Sequence, residues 1–197
     1  MKNNADLGFL DRLVFLAIDA GSEWAGVCVG TGREHRFSGR QNMKKYTRMH
    51  YGDPDNVWSR VEMFAHWTAV LICSYRPDFL IMELPTGDHD NRHTDRVMGA
   101  LLGALIIEAT RGGARRVQCT PQEVKATGYH KGAKRDAALF VGVPLEQMKS
   151  DQADALGLWQ AGLIKVRDVM LSGTPDFAAI DVVNGDTLYV VDKREET

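Results

Sequence analysis

The sequence predicts an α/β fold, and three observations predict it. Short apolar runs end in an acid or a turn, as buried strands do. Longer segments between them repeat apolar residues every three or four positions, as helices do. The first three strands follow one another with tight connections. In order, Leu13-Val-Phe-Leu-Ala-Ile18 reads as a buried strand closed by Asp-Ala-Gly-Ser. Residues 25–30 and 34–38 read as two more strands joined at Thr31-Gly32, which makes an antiparallel meander. Past a polar, basic stretch, Pro54 to Tyr75 is helical, with Val57, Val61, Phe64, Ala65, Thr68 and Leu71 at helical spacing and Pro77 ending it. Phe79-Leu-Ile-Met82 reads as a central strand ending at Glu83, followed by a Pro-Thr-Gly turn at 85–87. A helix over 94–111 carries Gly99 and Gly103, a spacing that lets another backbone approach closely. Residues 115–119 form a further strand, Pro121 opens a short helix, and 131–141 and 151–166 are helices. Residues 177–191 alternate around Asn184-Gly185, a hairpin signal, and the chain then ends in charge.

Composition narrows the function class. The chain has 197 residues, 44% hydrophobic and 25% charged, which suits one globular domain with a modest appendage and excludes a disordered or low-complexity chain. Three widely spaced cysteines, Cys28, Cys73 and Cys119, suggest neither a disulfide framework nor a zinc knuckle, so a reducing compartment is expected. The N-terminus does not read as a secretory signal. The longest apolar stretch, Val97 to Ile107, falls short of the ~18 residues of a membrane span. A soluble, cytoplasmic protein with no membrane partner is expected. The formal net charge of −2 argues against nucleic acid as a partner, but the charge is uneven. Residues 33–48 hold Arg33, Arg36, Arg40, Lys44, Lys45 and Arg48 against Glu34 alone, with Phe37 and Tyr46 interleaved. Residues 111–135 hold seven basic residues against Glu123, while the acids of residues 176–197 outnumber the bases six to two. Basic residues with aromatics suit a phosphate-tracking surface, although a solvated face is the plainer reading of a charge run.

The acids carry the chemistry. Asp19 and Glu83 each terminate an apolar strand, and the strand ends of an open α/β sheet are where ligand sites tend to lie. Asp151 and Asp154, at i and i+3 at the start of a helix, face the same way. Asp151 taken alone is accounted for as a helix N-terminal acid, and Asp19 as a turn residue; a charged Glu83 closing a buried strand needs a partner or a role. Four converging carboxylates favour magnesium or manganese over zinc. Two such ions activate a water and stabilise the leaving oxygen of a phosphodiester.

In their order, these residues resemble the RuvC-like Holliday-junction resolvases of the ribonuclease-H-like superfamily, over roughly residues 13 to 165. Five motifs carry the resemblance: Ala-Ile-Asp-Ala-Gly-Ser at 17–22; Arg-Pro-Asp-Phe-Leu-Ile-Met-Glu at 76–83; the Gly99-Ala-Leu-Leu-Gly103 helix; Gln122-Glu-Val-Lys-Ala-Thr-Gly128 with Ala133-Lys134; and Asp151-Gln-Ala-Asp154-Ala-Leu. A viral or phage-type variant of that family is one form the likeness takes. It implies a mixed sheet flanked by helices and a homodimer; the expected division of the chain is a nuclease domain over 1–171 and a hairpin with charged tail over 172–197, the hairpin lying beyond the resemblance. The implied activity is paired symmetric nicking of four-way DNA junctions that leaves a 5′-phosphate and a 3′-hydroxyl. It further implies two Mg2+ ions, replaceable by Mn2+. Asp19 would bridge them, Glu83 and Asp154 would ligate them, and Asp151 would complete the site. Lys125 and Lys134 would position or neutralise the scissile phosphate.

One departure stands out: residues 84–96 are polar and hold no aromatic to wedge into a junction centre. Arg92 and Arg96 there, with Lys131, Arg135 and the 33–48 basic residues, are the expected DNA contacts. His89 and His93 read as a solvated pair rather than metal ligands. Trp58, Trp67 and Trp159 are expected in the core, and Trp24 could lie beside the site. The competing readings are a related nuclease acting on flapped or branched DNA or on RNA–DNA hybrids, an actin-like ATPase, and an inactive DNA-binding scaffold. The ATPase would need a second phosphate loop and an adenosine motif, neither of which is visible in the sequence.

Overall fold

The computed structural model describes residues 7–21, 23–84, 92–171, 180–183 and 187–190. After a single helical turn, α1 (Leu7–Leu10), come β1 (Val14–Asp19), β2 (Trp24–Thr31) and β3 (His35–Asn42). They are followed by α2 (Met43–His50), α3 (Val57–Tyr75), β4 (Phe79–Glu83), α4 (Arg92–Arg111) and β5 (Arg115–Cys119). Next are α5 (Pro121–Ala126), a 3-10 turn (Lys131–Ala133), α6 (Lys134–Val141), the long α7 (Ser150–Leu171), and β6 (Ile180–Val183) and β7 (Thr187–Val190). Five strands form one mixed sheet in the order β3-β2-β1-β4-β5, antiparallel through β3, β2 and β1 and parallel through β1, β4 and β5. The expected meander and central strand are both present. Strands β6 and β7 form a separate antiparallel pair, as the hairpin signal predicts; Asn184 and Gly185 lie outside the described residues.

Alternation along the strands divides the core into two layers. Phe15, Ala17, Phe79 and Ile81 pack with Leu156, Leu158 and Trp159 of α7, whereas Leu16, Ile18, Leu80 and Met82 pack with Phe64 of α3 and Leu101 and Leu105 of α4. In the first layer the register partners Phe15 and Phe79 stack at 5.1 Å between ring centroids. Helix α7 can lie close because small residues make room. A Cβ on Gly26 of β2 would sit 1.9 Å from the Asp151 carbonyl oxygen, and one on Gly157 would sit 1.7 Å from that of Tyr129. Asp78 ties the opposite ends of the strands together. Its carboxylate accepts from the Val14 N–H (2.8 Å), its own N–H donates to the Val14 carbonyl (2.8 Å), and its carbonyl accepts from the Arg115 N–H (2.9 Å).

Helix ends follow local chemistry. Asn56 caps α3 by accepting from the Trp58 N–H at 2.9 Å, and Arg76, at φ 46°, ends it in the left-handed region just before Pro77. Thr120 and Glu123 form a reciprocal capping box around Pro121 on α5.

Two expectations need correction, and a stretch to which no element was assigned gains one. The basic stretch after β3 is partly helical: Asn42 caps α2, whose eight residues bury only Met43 and Thr47, too few to show a period. Trp58 is not in the core but 75% exposed, because it shares an outward stripe of α3 with Glu62, His66 and Val70, all exposed. Trp159 is buried and Trp67 half-buried. Gly99 and Gly103 receive no close backbone among the described residues, since α4 meets its layer through Val97, Leu101, Ala104 and Leu105 instead.

Candidate active site

Strand order brings the first two acids together. Parallel pairing matches Ile18 with Met82, so the next position on each strand sets Asp19 beside Glu83, where both strands leave the sheet. Alternation gives them the face of Ala17 and Ile81, which is the α7 face. Both are half-buried and both have interaction partners in the fold.

Helix α7 brings the other two. Asp19 pairs across β1 and β2 with Gly26, and it is on Gly26 that the Asp151 backbone rests. The first turn of α7 therefore lies over the row that contains Asp19, with Asp154 one turn further along; both aspartates are half-buried. Gln152 fixes this placement by donating from Nε2 to the Ser38 carbonyl (3.1 Å) and to Ser38 Oγ (2.9 Å) of β3. Among the described residues, no group of three or more Asp, Glu, His or Cys side chains is close enough to hold a metal ion. The four acids share one end of the fold without forming a closed cage.

A cation already stands next to them. Gly26 pairs on its other side with Arg40 of β3, so Arg40, Gly26 and Asp19 form one row across three strands. The Arg40 guanidinium lies 3.8 Å from the centre of the Trp24 ring, and its Nη1 is 3.6 Å from Asp151 Oδ2. Trp24 is thus beside the acids, as its position after the turn suggested, and it carries an arginine. Sequence reading could not find this trio, because its members are brought together only by strand register and by the seating of α7.

The remaining basic residues are dispersed around this end and beyond it. Lys44, Lys45 and Arg48 line a cleft of about 480 Å³ with Glu23 and Asn42. Arg33 pairs with the half-buried Asp11 at 2.5 Å, and Arg36 pairs with Glu34 at 3.5 Å and Lys44 with Asp55 at 3.3 Å, these last two at exposed positions where such pairs contribute little. Lys125 on α5, Arg96 on α4 and Arg135 on α6 are exposed, and Lys134 at the start of α6 is half-buried. The side chains of Arg92, His93 and Lys131, and all of His89, lie outside the described residues.

Lys165 of α7 plays a part that sequence alone did not suggest. Its Nζ donates to the Gln118 carbonyl (2.9 Å) and to both carboxylate oxygens of Glu123 (3.1 and 3.4 Å), tying α7 to β5 and α5. Burial works to raise the Glu123 pKa, but the Thr120 N–H and Lys165 outweigh it and hold the carboxyl below its ordinary value. The Cys119 thiol, register partner of Glu83, is pushed up to about 12, chiefly by burial, with Glu123 and Glu83 adding and Lys165 opposing. Burial likewise raises Cys28 well above its ordinary value, so neither thiol is ionised at neutral pH.

No protein-family model and no curated protein matches the sequence. Solved structures do. A Thermus thermophilus RuvC in complex with Holliday junction substrate matches with a TM-score of 0.66 and 18% identity, over 80% of this chain and 96% of that one. A second T. thermophilus RuvC structure matches at 0.59 and 21%, over 80% and 97%. The yeast mitochondrial Holliday junction resolvase matches at 0.56 and 14%, over 79% and 82%. The chain thus has the RuvC-like, ribonuclease-H-type fold. At these identities the likeness is one of fold. No helix among the described residues is long and apolar enough to cross a membrane.

Proposed function

We propose that this protein is a divalent-metal-dependent endonuclease that resolves four-way DNA junctions by paired nicks, acting as a homodimer. The observation that carries the reading is the side-by-side exit of Asp19 and Glu83 from parallel strands, on the face where α7 begins with Asp151 and Asp154. The donors are carboxylates alone, which suits a hard cation. Magnesium is ordinarily held by one or two carboxylates together with substrate phosphate and water rather than by an all-protein cage, and an open carboxylate set of this kind fits that habit. Asp19 and Glu83 would hold the ions, with Asp154 and then Asp151 contributing from α7. Bound there, the metal supplies an activated water and neutralises the leaving oxygen.

The protein's own part is to place the phosphate. Lys125 and Lys134, on the two short helices that precede α7, would contact or neutralise the strand being cut. Lys44, Lys45 and Arg48, with Arg33, Arg36, Arg92, Arg96, Lys131 and Arg135, would follow the arms of the junction. Residues 172–197 would form an acidic appendage outside the nuclease unit of residues 1–171.

The test is cleavage of a labelled synthetic four-way junction with Mg2+ or Mn2+, alongside linear duplex, flap and RNA–DNA hybrid. Symmetric nicks confined to the junction, bearing 5′-phosphate and 3′-hydroxyl ends, are the expected result. Equal cleavage of all four substrates would leave a nuclease of this fold without junction specificity. No cleavage of any would end the enzymatic reading.

A further inference from the structure

Arg40 stands apart from the other basic residues of its stretch in where its charge lies. Arg33, Arg36 and Lys44 face acids on their own surroundings at exposed positions, whereas Arg40 reaches over the glycine gap at Gly26 toward the acids themselves. Arg40 is an exposed residue too, but its side chain is 31% exposed, against 76% for Arg33, 51% for Arg36 and 48% for Lys44. The guanidinium carbon lies 3.8 Å from the centre of the Trp24 ring, too close for an N–H edge to point at it, so the group must lie roughly face-on, which restricts the side chain without using its N–H donors. Its approach to Asp151, at 3.6 Å, is too long for a good hydrogen bond. No hydrogen bond among the described residues engages the five donors of this guanidinium. An arginine fixed by its face, with its edge unspent and beside carboxylates, has the geometry for bidentate recognition of a phosphate.

We propose that Arg40, braced on Trp24, is a phosphate-positioning residue of the acid site: it leaves Asp151 when nucleic acid binds and grips the backbone phosphate next to the one being cut. The inference rests on the nuclease reading above. Asp151 serves meanwhile as its resting partner, which keeps the guanidinium over the α7 face in the absence of DNA. Trp24 sets the reach, because stacking confines the guanidinium to one plane beside the row of Arg40, Gly26 and Asp19.

The experiment compares wild type with Arg40→Gln, Arg40→Lys and Trp24→Leu in three measurements on the full chain: thermal melting, single-turnover cleavage at saturating protein, and the salt dependence of binding to a four-way junction made uncleavable by omitting the metal. For Arg40→Gln the expected result is an unchanged melting temperature, a cleavage rate lower by roughly 10- to 100-fold, and a salt slope smaller by about one phosphate contact. Arg40→Lys should restore the salt slope but not the rate, since a point charge lacks the planar fork. Trp24→Leu should keep the slope and lose rate. An Arg40→Gln protein with unchanged rate and slope overturns the proposal, and so does a rate that falls only in step with melting temperature. A wild type that binds the junction but does not cut it rejects the nuclease reading while leaving the slope to decide on Arg40. A wild type that binds no DNA overturns both.

Discussion

Strands β1 and β4 alternate their residues between the two faces of the sheet, yet the two faces end differently. Toward α3 and α4 the sequence runs Leu16, Ile18 and Leu80, Met82, apolar to the last position. Toward α7 it runs Phe15, Ala17, Asp19 and Phe79, Ile81, Glu83, apolar until the strands leave the sheet and acidic there. One face is support and the other is support that opens into chemistry. The difference also shows in the helices: α3 and α4 pack by large side chains, while α7 is drawn down onto glycines, so that its polar first turn reaches the strand ends.

If the division holds, matched substitutions on the two faces should separate stability from activity. Leu80→Ala, on the supporting face, should cost about 2–5 kcal/mol in denaturant unfolding and leave cleavage per folded molecule unchanged. Asp19→Asn and Glu83→Gln should do the reverse: melting near wild type, junction binding retained, and cleavage lower by at least about 100-fold, which is roughly 2.7 kcal/mol of barrier. A Glu83→Gln protein that cuts normally would remove the strand-end acids from the site.

Next in size is Gly26→Ala, which adds one methyl where α7 rests on β2. Overpacking of this kind costs about 1–3 kcal/mol, and here it should also slow cleavage, because it lifts Asp151 and crowds Arg40. Loss of stability with a full rate would mean that the seating of α7 does not matter to the reaction.

The smallest effect concerns the far part of α7. Lys165→Met should lower stability by about 1 kcal/mol by removing its hydrogen bonds, partly screened because Glu123 is half-open to water. The Glu123 pKa is lower folded than unfolded, so its stabilisation is complete above the unfolded value of about 4.3 and disappears as pH falls through the folded one. The melting-temperature gap between wild type and Lys165→Met should therefore hold steady from neutral pH to about 5 and narrow in stronger acid. A gap that stays constant throughout would exclude Glu123 as the partner that matters.

Much of this architecture was legible because it is written in short-range pattern. Apolar runs closed by Asp19 and Glu83 gave β1 and β4, the three-and-four spacing gave α3, and Pro121 gave the start of α5. What escaped depends on partners distant in sequence. Trp58 looked like core because tryptophan usually is, and only its phase on α3, shared with Glu62 and His66, turns it outward. The meaning of Arg40 required three facts at once: the β2–β3 register, the position of Trp24, and the seating of α7 on Gly26. The small-residue spacing of Gly99 and Gly103 suggested a contact that α4 makes with other residues.

Asp78 acts at the end of the sheet away from the acids, and it works as a ruler. It fastens its own position to Val14, and from those two zero marks Asp19 and Glu83 each lie five residues up the strand. Equal counts bring both carboxylates to the same height, roughly 17 Å from the clamp at about 3.3 Å per residue, and with the same parity. One residue inserted in either strand would raise one acid and turn it through the sheet into the apolar layer of α3 and α4. The site is therefore far more sensitive to a miscount inside β1 or β4 than to changes of length in the segments that join them.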